Sequence, residues 1–572
     1  MLVSKYIAKF LAENQIKYVF GITGTAVNMC FVGLGEEEGI DYVCPMHEQG
    51  ASMGADGYSR VGRHLGVAIG TSGPGATNMV TGCAGAYTDS VPVLFIVGQA
   101  MQSTRADNNT RFFAFQEIDL VSIFKPITKY VNEVTDQKQI KYELGKAMSI
   151  ALRGRKGPCV LVIPEDILYA DIDPDKLPKY EDECKQGEYE ENIESIRKAC
   201  SFIVSKLKKA EKPILLFGGG VHQSCAEEDA LNVIHKLSCP TALTFPARDL
   251  LEDDSKYNIG SIGIFGTIGG NKLVQNSDCI ISIGARLDRY ITGNPCDFAK
   301  NAYKVVVDID ENELNKFDVL GPNVDYKIRA DIKAFLKIFL EEIKKEKISV
   351  KESYVQEALH LRKQYPLLKS SYAIEDTVNP YYFVDRLSFA LRNDDIIFTD
   401  TGLSAIWIGQ SFKFKQGQRW HTQFAYSAMG YSLPAAIGGY FAAKKRVICI
   451  AGDGGLQMSI QELCNLEYYR PDIKVFVICN DGYGLIQKTQ DDFKNGHHAT
   501  DRKHHVPLPD IVQVANAYKI PTFEISNNKE IDDVLTNILN VEGPVLCAVK
   551  IPISKRISLR VRGGDLDNMI GE

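Results

Sequence analysis

The sequence predicts an α/β protein of three doubly wound units, each built on a parallel sheet. Short runs of β-branched and large apolar residues recur along the 572-residue chain, and each run ends in Gly, Asp or Asn. Helical patterns separate the runs, and an unbroken apolar run is typical of a parallel strand buried on both faces. Two charged stretches divide the runs into three groups. The predicted strands include GVAIGTSGPG, VPVLFIVGQ, KPILLFGGG, DCIISIGAR, YKVVVDID, RVICIAGDG and IKVFVICND.

The charged stretches set the expected boundaries of the units. Residues 173–191 (DPDKLPKYEDECKQGEYEE) break the pattern and predict a linker. A second charged stretch, from about Glu341 to Lys369, has no strand signal and precedes the last unit. We therefore expect units near residues 1–175, 190–345 and 370–550, followed by a tail at 551–572. The first fifteen residues, MLVSKYIAKFLAENQ, predict an amphipathic helix and not a signal peptide.

The composition is that of a globular protein and argues against several classes of partner. The net charge is −7, and no basic stripe with interleaved aromatics occurs, so we expect no nucleic acid partner. No apolar run approaches the ~20 residues that a membrane span needs, so we expect no membrane insertion. Fourteen cysteines are scattered without a CxxC motif, and several lie in apolar runs. Such reduced core thiols favour a cytoplasmic location.

The sharpest functional signal is Gly452-Asp453-Gly454 at the end of strand VICIA, with Asn480 at the end of strand VFVIC. Glycines allow a diphosphate to approach backbone N–H groups closely, and Mg²⁺ prefers hard oxygen ligands shared with phosphates. A helix predicted from about Gln457 to Tyr469 would return the second strand parallel to the first, so that both strand ends meet. The alternative is an ordinary strand–turn–helix, with Asn480 at the strand end by chance. The spacing between Asp453 and Asn480, both at strand ends, favours the metal site.

This segment resembles a known family. GDGGLQMSIQELCNLEYYRPDIKVFVICNDGYGLI is similar to the thiamine-diphosphate motif of the acetolactate synthase and pyruvate oxidase superfamily. The resemblance implies a pyrimidine-binding domain, a Rossmann-like middle domain and a diphosphate-binding domain. It also implies that the carboxylate of Asp453, the amide of Asn480 and the backbone oxygen of Gly482 bind Mg²⁺. The expected cofactor-binding residues are Gly24, Met429, Gly452, Asp453, Gly454, Gly455, Asn480, Gly482 and Ile486.

Two of these residues have apolar roles in the resembled family. Met429, in SAMGYSLPAAIG, matches the large side chain that props the cofactor into a V shape. Ile486 matches an apolar residue over the thiazolium ring.

Gly24 lies in GITGT, where the family usually has proline in place of Thr23, and this turn is expected near the cofactor.

Glu48 is the expected catalytic acid of the N-terminal unit. It begins a helical pattern in CPMHEQGASMG, where a glutamate is ordinarily a solvated first-turn carboxylate favoured by the helix dipole. In the resembled family the matching glutamate donates a hydrogen bond to N1′ of the aminopyrimidine ring, and a dry pocket favours the protonated form. Phe115 and Gln116, in AFQE, match residues at the active-site mouth, so they complete the expected catalytic set.

The resemblance also implies how the subunits assemble. Glu48 and Asp453 lie in different units, and in the family the cofactor lies between the N-terminal domain of one subunit and the C-terminal domain of another. We therefore expect a homodimer or homotetramer with its active site at the subunit interface.

The middle unit leaves a second cofactor open. FGGGVHQSCAEE and VVVDIDENEL resemble the acetolactate synthase middle domain, which binds FAD in the anabolic synthases. Residues 218–220 would approach a pyrophosphate, and Asp308 or Asp310 a ribose hydroxyl. A groove without a flavin, as in the catabolic synthases, is the alternative.

Three departures from the anabolic synthases concern the acceptor side of the site. Glu165 replaces a lysine, Ile264-Phe265 replaces a Met-His pair, and Thr489 replaces the tryptophan that selects the second 2-oxo acid. These changes leave the donor half intact and predict an altered acceptor half. Because a tryptophan is lost, a larger acceptor has room.

The expected function is thiamine-diphosphate-dependent decarboxylation of pyruvate, or a related 2-oxo acid, with transfer of the two-carbon unit to a keto acceptor. One alternative acceptor is a keto sugar nucleotide in surface polysaccharide synthesis, which the tail GGDLDNMIG faintly suggests. A flavin-linked pyruvate oxidase and a simple 2-oxo acid decarboxylase are further alternatives. An inactive paralogue is disfavoured because Glu48, Asp453 and Asn480 are all present.

Overall fold

The computed structural model describes residues 1–106, 110–181, 192–493, 496–555, 557, 559–561, 565–566 and 569–571. These residues form three six-stranded parallel sheets with interleaved helices, as the sequence predicts, and a short two-stranded ribbon near the C-terminus. The strands of each sheet lie inside one expected unit, whose boundaries stay predictions. Of the predicted linker at 173–191, residues 182–191 lie outside the described residues.

The N-terminal sheet has the strand order β2-β1-β3-β4-β6-β5. Its strands are β1 (Tyr18–Gly21), β2 (Asp41–Val43), β3 (Gly66–Gly70), β4 (Val93–Gln99), β5 (Tyr130–Glu133) and β6 (Cys159–Pro164). Its helices are α1 (Val3–Glu13), α2 (Asn28–Glu36), α3 (Glu48–Gly62), α4 (Pro74–Thr77), α5 (Val80–Asp89), α6 (Leu120–Phe124), α7 (Ile140–Leu152) and α8 (Glu165–Leu168). The predicted amphipathic helix at the N-terminus is therefore α1, whose apolar face is buried.

The middle sheet has the order β12-β11-β10-β7-β8-β9. Its strands are β7 (Pro213–Phe217), β8 (Thr241–Leu243), β9 (Asn258–Ser261), β10 (Cys279–Ile283), β11 (Tyr303–Asp308) and β12 (Tyr326–Arg329). Its helices are α9 (Ile193–Leu207), α10 (Gly220–Gln223), α11 (Glu227–Leu237), α12 (Ile268–Gln275), α13 (Arg289–Thr292), α14 (Glu311–Asn315), α15 (Ile332–Glu346) and α16 (Glu352–Gln364). The charged stretch from 341 to 369 is thus largely helical.

The C-terminal sheet has the order β14-β13-β15-β16-β18-β17. Its strands are β13 (Ile396–Thr399), β14 (Arg419–His421), β15 (Val447–Gly452), β16 (Ile473–Cys479), β17 (Thr522–Ile525) and β18 (Val545–Lys550). Its helices are α17 (Pro380–Ala390), α18 (Leu403–Ser411), α19 (Ser432–Ala443), α20 (Asp453–Leu456), α21 (Leu463–Tyr469), α22 (Gly484–Phe493), α23 (Ile511–Ala517) and α24 (Ile531–Asn540).

The crossover between β15 and β16 differs from the single helix expected from Gln457 to Tyr469. Helical structure begins at Asp453, continues as a 3₁₀ stretch, and becomes α-helical again at Leu463. Ser459, with φ −140° and ψ 24°, breaks the helical geometry between the two parts. The crossover still returns β16 parallel to β15, with Gly452 paired to Ile478.

Helix α3 packs on helix α19, and this contact joins the N-terminal and C-terminal sheets. A Cβ on Gly438 of α19 would lie 1.9 Å from the carbonyl oxygen of Gly54, and a Cβ on Gly57 would lie 2.1 Å from the carbonyl oxygen of Ala435. Glycines are required here because the two helix backbones approach within the space of a side chain. The contact fixes the direction of α3 and so the place of Glu48, its first residue.

The last described residues lie against the middle domain. Strands β19 (Leu559–Val561) and β20 (Met569–Gly571) form the antiparallel ribbon. The backbone N–H of Val561 donates to the carbonyl of Ile264 at 3.0 Å, and Leu566 is buried in a hydrophobic cluster of the middle domain. Among the described residues, no helix is both long and apolar enough to cross a membrane.

Candidate active site

Asp453 and Asn480 meet at the carboxyl edge of the C-terminal sheet. One carboxylate oxygen of Asp453 accepts the backbone N–H of Asn480 at 3.0 Å and that of Asp481 at 2.8 Å. The other oxygen accepts the N–H of Gly454 at 2.7 Å. Both side chains are largely buried, with Asp453 7% and Asn480 6% exposed. The two strand ends that the sequence singled out therefore lie side by side, with the Asp453 carboxylate against the backbone of Asn480 and Asp481.

Burial makes the negative charge of the Asp453 carboxylate costly. Burial raises the pKa of Asp453 to about 6, although the N–H groups of Gly454, Asp481 and Asn480 lower it. A bound cation would favour the ionised form, as carboxylate and amide oxygens are ligands that Mg²⁺ accepts. The donor set therefore fits the expected Mg²⁺ ion.

The turn after Asn480 is held rigidly by the segment that follows α22. Gly482 forms an isolated β-bridge with Asp501, and the N–H of Tyr483 donates to the carbonyl of Thr500 at 2.7 Å. The ring of Tyr483 lies against Gly454, where a Cβ would come within 2.3 Å of it. These contacts fix the carbonyl of Gly482, the third expected metal ligand, relative to Asp453.

Open space lies over two glycines at this edge. A Cβ on Gly452, or on Gly402 at the start of α18, would meet no atom within 4 Å among the described residues. Gly402 has φ +88°, which a side chain would strain. Helices α18 and α20 both begin at this edge, so their N–H groups point toward the space. A diphosphate fits such a cradle.

Asp400 is a site residue that the sequence reasoning missed. It follows β13, is fully buried, and accepts the N–H of Gly430 at 2.9 Å and that of Thr401 at 2.8 Å. Burial raises the pKa of Asp400 to about 7. The contact with Gly430 holds the turn carrying the half-buried Met429, and a Cβ on Gly455 would lie 3.0 Å from the Asp400 carboxylate. The run IIFTDTG has the same apolar-strand-then-Asp pattern as IAGDG and would have indicated it.

In the N-terminal domain, Glu48 faces the turn GTSGPGATN. Asn78 donates its side-chain N–H to one Glu48 oxygen at 2.9 Å, and a Cβ on Gly75 would lie 3.5 Å from the other oxygen. Gly24 also meets this turn, because a Cβ there would come within 2.5 Å of Thr71. The buried hydroxyl of Thr71 has no hydrogen-bond partner among the described residues. Glu48 itself is half-buried in the single chain.

The structure brings Gln116 to the same turn and leaves Phe115 outside. Ser72 donates its hydroxyl to the Gln116 side chain at 3.1 Å, and Gln116 adopts φ +59°. Phe115 is 73% exposed, and its neighbours Phe112 and Phe113 are 62% and 70% exposed. Three exposed rings in one short segment form an apolar patch of the kind that other chains or ligands cover.

Comparison with known proteins shows the family of the chain. Residues 1–123 match the model described as "Thiamine pyrophosphate enzyme, N-terminal TPP binding domain". Residues 200–339 match the central domain of that family, and residues 400–549 match its C-terminal TPP binding domain. The chain belongs to the thiamine pyrophosphate enzyme family.

Proteins similar to the chain include large subunits of acetolactate synthase. The probable acetolactate synthase large subunit of Methanococcus aeolicus is 32% identical over 580 residues, covering 98% of the chain and 94% of that protein. The large subunit from Cyanidium caldarium is 32% identical, covering 94% and 91%. Isozyme 1 of Escherichia coli K12 is 30% identical, covering 100% and 97%. These relatives confirm the predicted thiamine-diphosphate-dependent carboligase and do not favour the oxidase, decarboxylase, sugar-nucleotide or inactive alternatives.

In this thiamine pyrophosphate enzyme, Ile486 and Thr489 share one exposed face of α22. Ile486 is 48% exposed, and Thr489 lies three residues later, almost one helical turn away. The hydroxyl of Thr489 donates back to the carbonyl of Leu485 at 3.0 Å, and the residue is exposed. The structure therefore places Ile486, the expected thiazolium contact, near Thr489, which is expected to stand in place of a tryptophan.

Glu462 is a second residue that the sequence reasoning missed. Its side chain is fully buried between the N-terminal and C-terminal domains. One oxygen accepts the N–H of Met46 at 3.1 Å, and the other accepts the side-chain N–H of Asn465 at 2.6 Å. Met46 lies two residues before Glu48, so Glu462 holds the start of α3. No periodicity or motif in QELCNL signals such a contact.

A cavity of about 450 Å³ lies between the middle domain and the other two domains. Gly218 and Gly220 are required there by protein packing, because a Cβ on either would come within 3 Å of Gly284 or its neighbours. Asp308 lines the cavity, whereas Asp310 pairs with Arg155 at 2.7 Å. The lining includes six basic side chains: Arg60, Arg63, Arg155, Lys156, Arg286 and Arg419.

Proposed function

We propose that the protein decarboxylates pyruvate, or a related 2-oxo acid, and transfers the two-carbon unit to a keto acceptor such as a second 2-oxo acid. The observation that supports this best is the meeting of Asp453 with Asn480 beneath open space over Gly452. The acetolactate synthase relatives support the choice of substrates.

Asp453, Asn480 and the carbonyl of Gly482 would hold Mg²⁺, and the N–H groups around Gly452 and Gly402 would hold the diphosphate. Thiamine diphosphate, when bound, supplies the electron sink that a 2-oxo acid needs in order to lose CO₂. The side chains of Met429 and Ile486 would contact its apolar part. Asp400 is a positioning residue, since its hydrogen bond to Gly430 orients the turn that carries Met429.

Glu48 would act on the aminopyrimidine ring as a hydrogen-bond donor. In the single chain its carboxyl is fixed by Asn78 and is only half-buried. We propose that a second copy of the chain covers it, so that the active site lies at the interface of a homodimer or homotetramer. The exposed rings of Phe112, Phe113 and Phe115 support this arrangement, because such a patch is costly to leave in water.

FAD is the proposed second ligand, in the cavity beside the middle domain. The volume of about 450 Å³ is within the usual range for small-molecule sites. Basic side chains around it suit a pyrophosphate, and Asp308 at the end of β11 suits a ribose hydroxyl. A visible absorption spectrum of the purified protein distinguishes an FAD site from a groove without a flavin. A flavin-free preparation that takes up no added FAD would contradict the FAD assignment.

The reaction is tested by adding pyruvate labelled with ¹³C to the protein with thiamine diphosphate and Mg²⁺. Labelled CO₂ and a carboligation product, identified by mass spectrometry, are the expected results. No CO₂ from any of a panel of 2-oxo acids would contradict the proposal. Free acetaldehyde without a condensation product would identify a simple decarboxylase, and peroxide would identify an oxidase.

Glu48→Gln tests the assigned catalytic acid. The amide keeps the size of the side chain but cannot donate and release a carboxyl proton, so CO₂ release should fall by about 10²–10⁴-fold. Glu38→Gln is the matched control, because Glu38 is an exposed residue of the same domain. Equal activity in the wild type and the Glu48→Gln variant would remove Glu48 from the mechanism.

A further inference from the structure

A group of three possible metal ligands follows helix α22. His497, Asp501 and His504 each offer one ligand atom, and these atoms all lie within 4.8 Å of one another. Residues 496–505, GHHATDRKHH, contain four histidines, of which only these two join the group. None of the three takes part in the reaction proposed above.

The chemistry of this group differs from that of the expected Mg²⁺ site. Two imidazoles and one carboxylate suit Zn²⁺ and similar divalent transition metals, whereas Mg²⁺ prefers oxygen ligands alone. Ligand atoms about 2.1 Å from a tetrahedral ion lie about 3.4 Å apart, so small side-chain rotations would close the group around an ion. A fourth position would be left to water.

A hydrogen bond already orients His497 for such a role. Nε2 of His497 lies 2.7 Å from a carboxylate oxygen of Asp491, which leaves Nδ1 for an ion. A carboxylate that orients the second ring nitrogen is the usual partner of a metal-bound histidine. The ring centroids of His497 and His504 lie 5.9 Å apart with the rings nearly perpendicular, and a ligand atom of each lies within 4.8 Å of one of Asp501.

Local capping accounts for only part of this arrangement. Asp501 accepts the N–H groups of Lys503 and His504 and lies 2.8 Å from Nδ1 of His504. Those contacts would stabilise the 3₁₀ turn at 502–504 without an ion. They do not explain why His497, several residues earlier, also approaches the same carboxylate.

We propose that His497, Asp501 and His504 form a second cation site, which binds Zn²⁺ or a similar divalent transition metal. Asp501 also bridges Gly482 and accepts from the side chain of Gln487 in α22. An ion here would therefore fasten the segment after α22 to the turn that carries the expected Mg²⁺ ligands. The site does not depend on the reaction proposed above, because its binding is measured directly.

The test is calorimetric titration of Zn²⁺ into the full-length protein loaded with thiamine diphosphate and excess Mg²⁺. Saturable binding of one Zn²⁺ per chain is expected, and it should persist in Asp453→Asn, which alters the other cation site. His497→Ala and His504→Ala should each weaken the affinity by at least about 10-fold. His498→Ala and His505→Ala are the matched controls, since both are exposed neighbours outside the group, and they should bind as the wild type does.

Two outcomes would overturn the proposal. One is the absence of saturable Zn²⁺ binding under these conditions. The other is an equal loss of affinity in the control variants, which would show binding by surface histidines in general. Circular dichroism of each variant separates a lost site from a lost fold, and His497→Ala remains informative if His504→Ala does not fold.

Discussion

Glu462 accepts the backbone N–H of Met46 at 3.1 Å, although the two residues are 416 positions apart. This hydrogen bond joins the crossover after Asp453 to the segment immediately before Glu48. The hydrogen bond thus connects the proposed metal-binding edge of one domain to the segment that carries the proposed catalytic acid of another, within a single chain. A carboxylate in this buried place is also a titrating group in the physiological pH range.

The first prediction concerns the pH dependence that Glu462 confers. Burial raises its pKa to about 7, against partial lowering by Asn465 and by the N–H groups of Met46 and His47. Between its unfolded pKa near 4.5 and about 7, the folded state holds a proton that the unfolded state has released. This group therefore lowers the free energy of unfolding as pH rises through that window, by at most about 1.4 kcal/mol per pH unit.

Glu462→Gln should remove this contribution, because a glutamine does not titrate and its oxygen can still accept from Met46. Urea unfolding at pH 5 and pH 7.5 measures the effect as the difference between variant and wild type. The variant should lose less stability than the wild type between the two values. Glu467→Gln, at a position exposed to solvent on the neighbouring helix α21, is the control. An identical pH dependence in Glu462→Gln and the wild type would refute the assignment.

The second prediction concerns the Mg²⁺ requirement. Asp453→Asn removes the charge of the expected ligand. It also turns an amide N–H₂ toward backbone N–H groups whose hydrogen bonds the wild-type carboxylate accepts. We expect the Mg²⁺ concentration for half-maximal thiamine diphosphate binding to rise by at least about 10-fold. Quenching of protein fluorescence by the cofactor would report the binding.

Asp481→Asn is the matched control for Asp453→Asn. Asp481 is exposed, adjacent to Asn480, and has φ +56°, a conformation that asparagine tolerates. It removes the same charge nearby without removing a ligand. If both variants shift the Mg²⁺ requirement equally, general electrostatics and not ligation would explain the effect.

How much of this site the sequence predicts depends on how far apart in the chain the contacting residues lie. Asp453 and Asn480 could be paired from sequence because parallel strands put their carboxyl ends on one edge, whatever the crossover does in detail. The start of helix α3 at Glu48 could be predicted from its pattern of apolar and small residues, but the direction of the helix could not. That direction comes from the glycine contact with α19, which joins residues far apart in the chain.

The residues that sequence reasoning missed differ in whether a local pattern could have indicated them. Asp400 follows the same rule as Asp453, so a fuller use of that rule would have found it. Glu462 bonds to a backbone N–H in another domain, and the histidine group after α22 depends on how a loop folds back on Gly482. No local pattern encodes the contact of Glu462 with another domain, so three-dimensional structure is needed to find it.

The third prediction concerns the helix contact that orients α3. Gly438→Ala would put a Cβ 1.9 Å from the carbonyl oxygen of Gly54, which forces α3 and α19 apart. Overpacking of this kind costs about 1–3 kcal/mol in the free energy of unfolding, and it should lower the activity by moving Glu48. Gly35→Ala is the control, since Gly35 in α2 has open space around it, and alanine there should be neutral or stabilising by up to about 1 kcal/mol. Equal stability of the two variants would show that the contact tolerates a side chain.

The fourth prediction concerns the acceptor. Thr489→Trp would fill the exposed face of α22 beside Ile486, and the helix can carry the larger ring because Thr489 faces outward. CO₂ release from pyruvate should change little, because the expected donor residues are untouched. Condensation with acceptors larger than pyruvate should fall by at least about 10-fold relative to condensation with pyruvate, since filling a pocket by more than one methylene costs over about 1 kcal/mol. Mass spectrometry of products formed from paired acceptors in competition measures this ratio, and Thr489→Ser, which keeps the hydroxyl and the open space, is the control. A product ratio that the tryptophan leaves unchanged would mean that α22 does not face the acceptor.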